Sequence, residues 1–137
     1  MADVNFGFIC HGSEVSDRGF LKANGIGFDT VITAKIPVQF PTFYALLSVR
    51  FGPGETGTHE ISIRLIDSDG DDIANPIDET FTVPPPPSTH FYRNHRITTP
   101  VENLVFPKYG EYVVIWLLDG HEVHRANITV FDPTGPA

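Results

Sequence analysis

The chain has 137 residues, room for about one domain, and 41% of them are hydrophobic, enough apolar material for one core. Strand-favouring residues (Val, Ile, Thr, Phe, Tyr, Trp) outnumber strong helix formers 52 to 32, and Gly and Pro add 12 each, which argues against a helical bundle or a parallel α/β fold. A formal charge of −8 repels phosphate backbones and anionic lipid, so nucleic acid and membrane surfaces are not the expected partners.

In chain order, Val4, Phe6, Phe8 and Cys10 alternate with Asn5, Gly7 and Ile9, the period of a half-buried strand that sets the first four on one face. Gly12 to Gly19 reads as a turn. Phe20 to Ile32 is extended, with Gly25 and Gly27 marking a bulge or a close backbone approach, and Pro37 and Pro41 interrupt the stretch beyond it. Phe43 to Phe51 and His59 to Asp67 alternate cleanly and predict two strands. Asp67-Ser68-Asp69-Gly70-Asp71 has the composition of a hairpin turn, and Ile77 to Val83 is the next strand. Pro84 to Pro87 then stops any ladder, because proline donates no amide hydrogen.

Ile97 to Phe106 predicts a strand broken near Pro100. Tyr112 to Leu118 is the most hydrophobic strand, Asp119-Gly120 a two-residue hairpin, and His121 to Phe131 the returning strand. About eight strands in one domain, residues 1–137, predict an all-β fold of two packed antiparallel sheets. Tyr109-Gly110-Glu111-Tyr112-Val113-Val114 resembles the opening of strand F in immunoglobulin-like domains, where the tyrosine hydroxyl, here that of Tyr112, caps backbone at the sheet corner.

Phe6-Gly7-Phe8-Ile9-Cys10, Gly25-Ile26-Gly27-Phe28-Asp29, Leu65-Ile66-Asp67-Ser68-Asp69-Gly70, Gly110-Glu111-Tyr112 and Leu118-Asp119-Gly120 together resemble a family of small bacterial β-sandwich domains of unknown function. The resemblance implies a bacterial cytoplasmic β-sandwich and carries over no catalytic residue and no cofactor. The N-terminus, with no basic and apolar leader, also fits a cytoplasmic location, and no run reaches the 18 or more apolar residues that a spanning helix needs.

Four places carry chemistry worth weighing. Asp67, Asp69, Asp71 and Asp72 form an acidic cluster that suits calcium or a solvated hairpin tip; Gly70 at the fourth position and Asp78 at the twelfth exclude the EF-hand loop. His121 and His124 stand three apart on a strand and so on opposite faces unless a bulge intervenes, which argues against a zinc pair. His90 to Arg96 reads as a loop that gathers Phe91, Tyr92, Arg93, His95 and Arg96 in an acidic chain, a mixture suited to recognition or to anchoring the loop itself. Val113, Ile115 and Leu117 give the strand Tyr112 to Leu118 a second apolar face, to be covered by the loop Pro84 to Asn94 or by another subunit.

No Gly-x-Ser-x-Gly elbow or phosphate-cradling loop occurs, and the lone Cys10 sits in an apolar run. The expected role is therefore a non-enzymatic protein-interaction or assembly module without cofactor or metal, self-associating as a homodimer or higher homo-oligomer. Its interaction residues would be Phe91, Tyr92, Arg93, His95, Arg96, Val113, Ile115 and Leu117. The alternative is a small-ligand or carbohydrate-binding sandwich, calcium-assisted through Asp67, Asp69 and Asp71.

Overall fold

The computed structural model describes residues 2–16, 18, 20–85 and 92–133; Asp17 and Gly19 of the expected first turn, the proline run beyond Pro85, His90 and Phe91 lie outside these residues. The described chain is all-β. Its strands are β1 (Asp3–Cys10), β2 (Gly12–Val15), β3 (Leu21–Asn24), β4 (Thr30–Ile32), β5 (Val38–Gln39), β6 (Phe43–Phe51), β7 (Gly57–Asp67), β8 (Ile77–Val83), β9 (Arg93–Val101), β10 (Val105–Phe106), β11 (Gly110–Leu118) and β12 (His121–Phe131). Twelve strands stand where eight were expected, because short pairings such as β5 with β10 carry too few residues to show a period.

Two larger sheets organise the chain. One is antiparallel in the order β1-β6-β9; the other runs β4-β12-β11-β7-β8, antiparallel except for the short β4, which lies parallel to β12. A single apolar core draws on both. Phe43, Ala45, Leu47, Val49 and Phe51 of β6 meet Ile61, Ile63 and Leu65 of β7 and Tyr112, Val114, Trp116 and Leu118 of β11, all buried. The alternation read from the sequence is what puts these residues on one face. The β11–β12 hairpin turns on Asp119 (φ 50°) and Gly120 (φ 84°), the positive angles that a two-residue turn requires. Tyr112 is fully within the core, and its hydroxyl donates to the Lys108 carbonyl, 2.5 Å away.

Several expectations change. In β1 the extra residue is Asn5: Val4 pairs with Val49 while Phe6 pairs with Ser48, so the bulge flips every later side chain. Ile9 therefore faces the core, and Phe6, Phe8 and Cys10 lie on the outer face with Ser48 and Leu46. Gly7 packs against β12, and a Cβ there would come within 2.6 Å of His124 Cδ2, so any larger residue would have to displace the His124 ring.

The expected turn from Gly12 begins instead as β2, hairpinned with β3. Close backbone approach is the role of the Gly25-Ile26-Gly27 segment, since the Gly27 N–H donates to the Ile9 carbonyl at 2.7 Å. The expected break at Pro100 does not occur: β9 runs through it, because an edge strand can leave an imide nitrogen facing outward. Finally, Arg93 to Arg96 are strand, not loop, paired residue by residue with Phe51 to Ser48.

Candidate interaction surface

The outer face of β11 lies in the middle of the five-stranded sheet. Opposite Ile115 stand Arg64 on β7 and Arg125 on β12. Arg64 holds Asp72 through two hydrogen bonds of 3.1 and 3.0 Å, and Arg125 holds Glu122 through two of 3.0 and 2.6 Å. These pairs keep the aliphatic stems beside Ile115, which is only 7% exposed, while Val113 and Leu117 are half-buried. The second apolar face thus needs neither a loop nor a subunit at its centre. Alternation along one strand shows which face a residue takes; it does not show that long side chains of neighbouring strands will roof it.

The basic and aromatic segment is split by the pleat. Phe91 lies outside the described residues. Tyr92 is exposed, with the Arg50 guanidinium 3.7 Å from its ring centre, a cation–π contact. Arg93 and His95 share the face of Ile97 and point toward the opposite sheet; Arg96 and Asn94 take the other face. On that outer face Asn94 accepts a 2.8 Å hydrogen bond from Asn5, which also donates to Ser48, and Phe6 stacks beside Phe8 with a large part of its ring exposed. Asn5, Phe6, Ser48, Asn94 and Arg96 line a shallow concavity there.

On the inner side, His95 lies flat on Phe81 of β8, ring centres 4.8 Å apart and 9° from parallel. Phe81 also meets His59 and Phe51, so a ring cluster joins β8 of one sheet to β6 and β9 of the other. Burial, then the charges of Arg93 and His59, push the His95 pKa down. His59 moves the other way. Its Nδ1 lies 2.6 Å from the Asp119 carboxylate and its Nε2 2.6 Å from the Glu55 carbonyl. Burial opposes the charge, but an imidazolium donating to two acceptors satisfies both, and its pKa is raised. Asp119 also accepts from the Glu60 N–H at 2.9 Å and returns its own N–H to the Glu60 carbonyl, which fastens the β11–β12 turn to β7. A His–Asp pair invites a catalytic reading, yet here neither ring nitrogen is left to take a proton from a substrate. Cys10 is fully buried, and burial pushes its thiol pKa up, away from the reactive thiolate.

The acidic turn is occupied by its own chain. Asp67 accepts from the N–H groups of Asp69 and Asp71 at 2.9 and 3.0 Å, Lys108 lies 3.3 Å from Asp69, and Asp72 is held by Arg64. In β12 the bulge that could join the two histidines is present: Val123 is the extra residue, so His121 pairs with Leu118 and His124 with Trp116, on one face. His124 is spent on packing against Trp116 and Gly7. Among the described residues no group of three or more His, Cys, Asp or Glu side chains is arranged to hold a metal ion.

What sequence reasoning missed is the placement of β8 and β9. Each is the last strand of its sheet, β8 pairing with β7 and β9 with β6 among the described residues. β8 carries Asp78 and Glu79, and β9 carries Arg93, His95 and Arg96. The two runs of opposite charge were visible in the sequence, but not that each ends a sheet. Residues 5–131 match the model of a family of unknown function, DUF6941. No curated protein matches the chain.

Proposed function

The chain belongs to this family of unknown function, and from its own geometry we propose that it is a non-enzymatic interaction and assembly module, an immunoglobulin-like β-sandwich that docks partners along β9. The finer fold reading is supported by the core shared between the two larger sheets and by the Tyr112 hydroxyl capping Lys108, the corner contact of such domains. The functional reading rests on one observation: a nine-residue strand, last in its sheet among the described residues, that bears Arg93, His95 and Arg96 in a chain of charge −8. A terminal strand offers main-chain donors and acceptors to an added strand, and its side chains select the partner, here an extended acidic segment.

Sedimentation over a micromolar range, at low and high salt, tests this. Association that weakens with salt is expected, since exposed charges are screened within a Debye length of about 8 Å at physiological ionic strength. A monomer at every concentration contradicts the self-associating part of the proposal. A second reading, a small-ligand or carbohydrate-binding sandwich, is favoured by the exposed Phe6 ring beside Asn5, Asn94 and Arg96; saturable shifts of the Asn5 and Asn94 side-chain amides on titration with simple sugars are its test.

A further inference from the structure

We propose that the acidic segment received by β9 is β8 of a second copy of this chain, in a closed two-fold dimer; this rests on the reading of β9 as a docking strand. The two strands have opposite character. β8 reads Ile77-Asp78-Glu79-Thr80-Phe81-Thr82-Val83, with no basic residue, and the first half of β9 reads Arg93-Asn94-His95-Arg96, with no acidic one. Each ends its sheet among the described residues, and neither is interrupted by proline before Pro100. Neither stretch carries lysine, proline or a bulge, and the charges that guard these edges, Asp78 and Glu79 on one and Arg93 and Arg96 on the other, repel a strand of like sign and admit one of opposite sign.

Both edges also lie on one side of the molecule, because Phe81 of β8 and His95 of β9 stack face to face across the gap between the sheets. A two-fold axis running along the strands there sets β9 of one copy beside β8 of the other and, by the same operation, β8 beside β9. Both edges close at once, with no open end to propagate. The three-stranded sheet of each copy then continues into the five-stranded sheet of its mate.

Charge selects this pairing over its competitors. β8 against β8 would set Asp78 and Glu79 against themselves, and β9 against β9 would do the same with Arg93 and Arg96; like charges directly opposite are destabilising. In the mixed pairing the faces also match. Glu79 and Phe81 share the inner face with Arg93 and His95, while Asp78 shares the outer face with Arg96.

The test is charge reversal followed by sedimentation of the full chain. In the variant with Asp78→Lys and Glu79→Lys, and separately in that with Arg93→Glu and Arg96→Glu, the dimer dissociation constant should rise about tenfold or more, the scale of close interfacial charge pairs. Mixing the two variants should restore a dimer, since both of its edge pairings are again between opposite charges, and the chain carrying all four changes should dimerise alone. Restoration also shows that the variants are folded. A dimer that persists in both variants overturns the pairing and leaves self-association through another surface. A wild-type chain that is a monomer overturns both.

Discussion

β11 and the segment that opens β9, the first read as a strand and the second as a loop, were both expected to carry interaction residues, and they contain similar ingredients: apolar or aromatic residues with arginines close by. They differ in where the sheet puts them. β11 is flanked on both sides, and the arginines beside Ile115 are held by Asp72, in the connection between β7 and β8, and by Glu122 of β12. β9 has a strand on one side only among the described residues, and its basic residues divide between the inner stack with Phe81 and the outer face around Asn94. An apolar strand in mid-sheet can be finished by its neighbours, whereas a terminal strand keeps main-chain donors and acceptors that an added strand can use.

The sharpest way to break this contrast is Ile115→Ala. If the outer face of β11 is interior, the change costs about 2 to 5 kcal/mol of unfolding free energy and leaves the sedimentation behaviour unaltered. A stable variant with altered association would return β11 to the interaction surface.

Next in size is the fastening of the β11–β12 turn. Asp119→Asn should cost about 1 kcal/mol near neutral pH, the net worth of a hydrogen bond, in chemical denaturation. It should also change the pH dependence. The His59 pKa is raised by folding, so its contribution is complete below the ordinary value of about 6.5 and is lost as pH rises through the folded value. The Asp119 pKa is lowered despite burial, chiefly by the Glu60 N–H and by His59, so its contribution is present above the ordinary carboxylate range and is lost in acid. Stability of the natural chain should therefore decline on both sides of that window, and in Asp119→Asn the decline on the alkaline side should flatten. His95, with its pKa lowered, has the opposite sign to His59: its contribution is present above the ordinary value and lost as pH falls. His95→Gln should accordingly reduce the loss of stability on acidification.

A smaller effect is expected of Arg125→Ala, which removes an exposed, solvent-screened ion pair with Glu122 together with one of the stems beside Ile115. Its informative readout is binding of a hydrophobic dye, which should increase if that stem helps to roof the face. The smallest expectation is for calcium. With Asp67 accepting two backbone N–H groups and Asp69 beside Lys108, addition of calcium or of a chelator should leave the melting temperature unchanged.

β6 and β7 were legible in the sequence from their two-residue period, β12 from the Asp119-Gly120 turn before it, and β11 with its Tyr112 contact. β1 was legible as a strand but not in its facing, because one unpaired residue, Asn5, inverts the assignment and leaves no mark in the pattern. β9 was half hidden: Arg93-Asn94-His95-Arg96 alternates between faces without alternating in hydrophobicity, and only pairing with β6 shows it to be strand. The candidate site was less legible still. Which strands end a sheet, and which arginine lies across from Ile115, are properties of long-range register, and local composition does not encode them.

The most direct test of β9 as the docking strand is backbone amide hydrogen exchange measured across a concentration series of the natural chain. Amides of residues 78–82 and 94–98 should exchange more slowly as concentration rises, while those of β11 stay constant. Exchange in β8 and β9 that is independent of concentration, in a chain that sediments as an oligomer, would contradict the account.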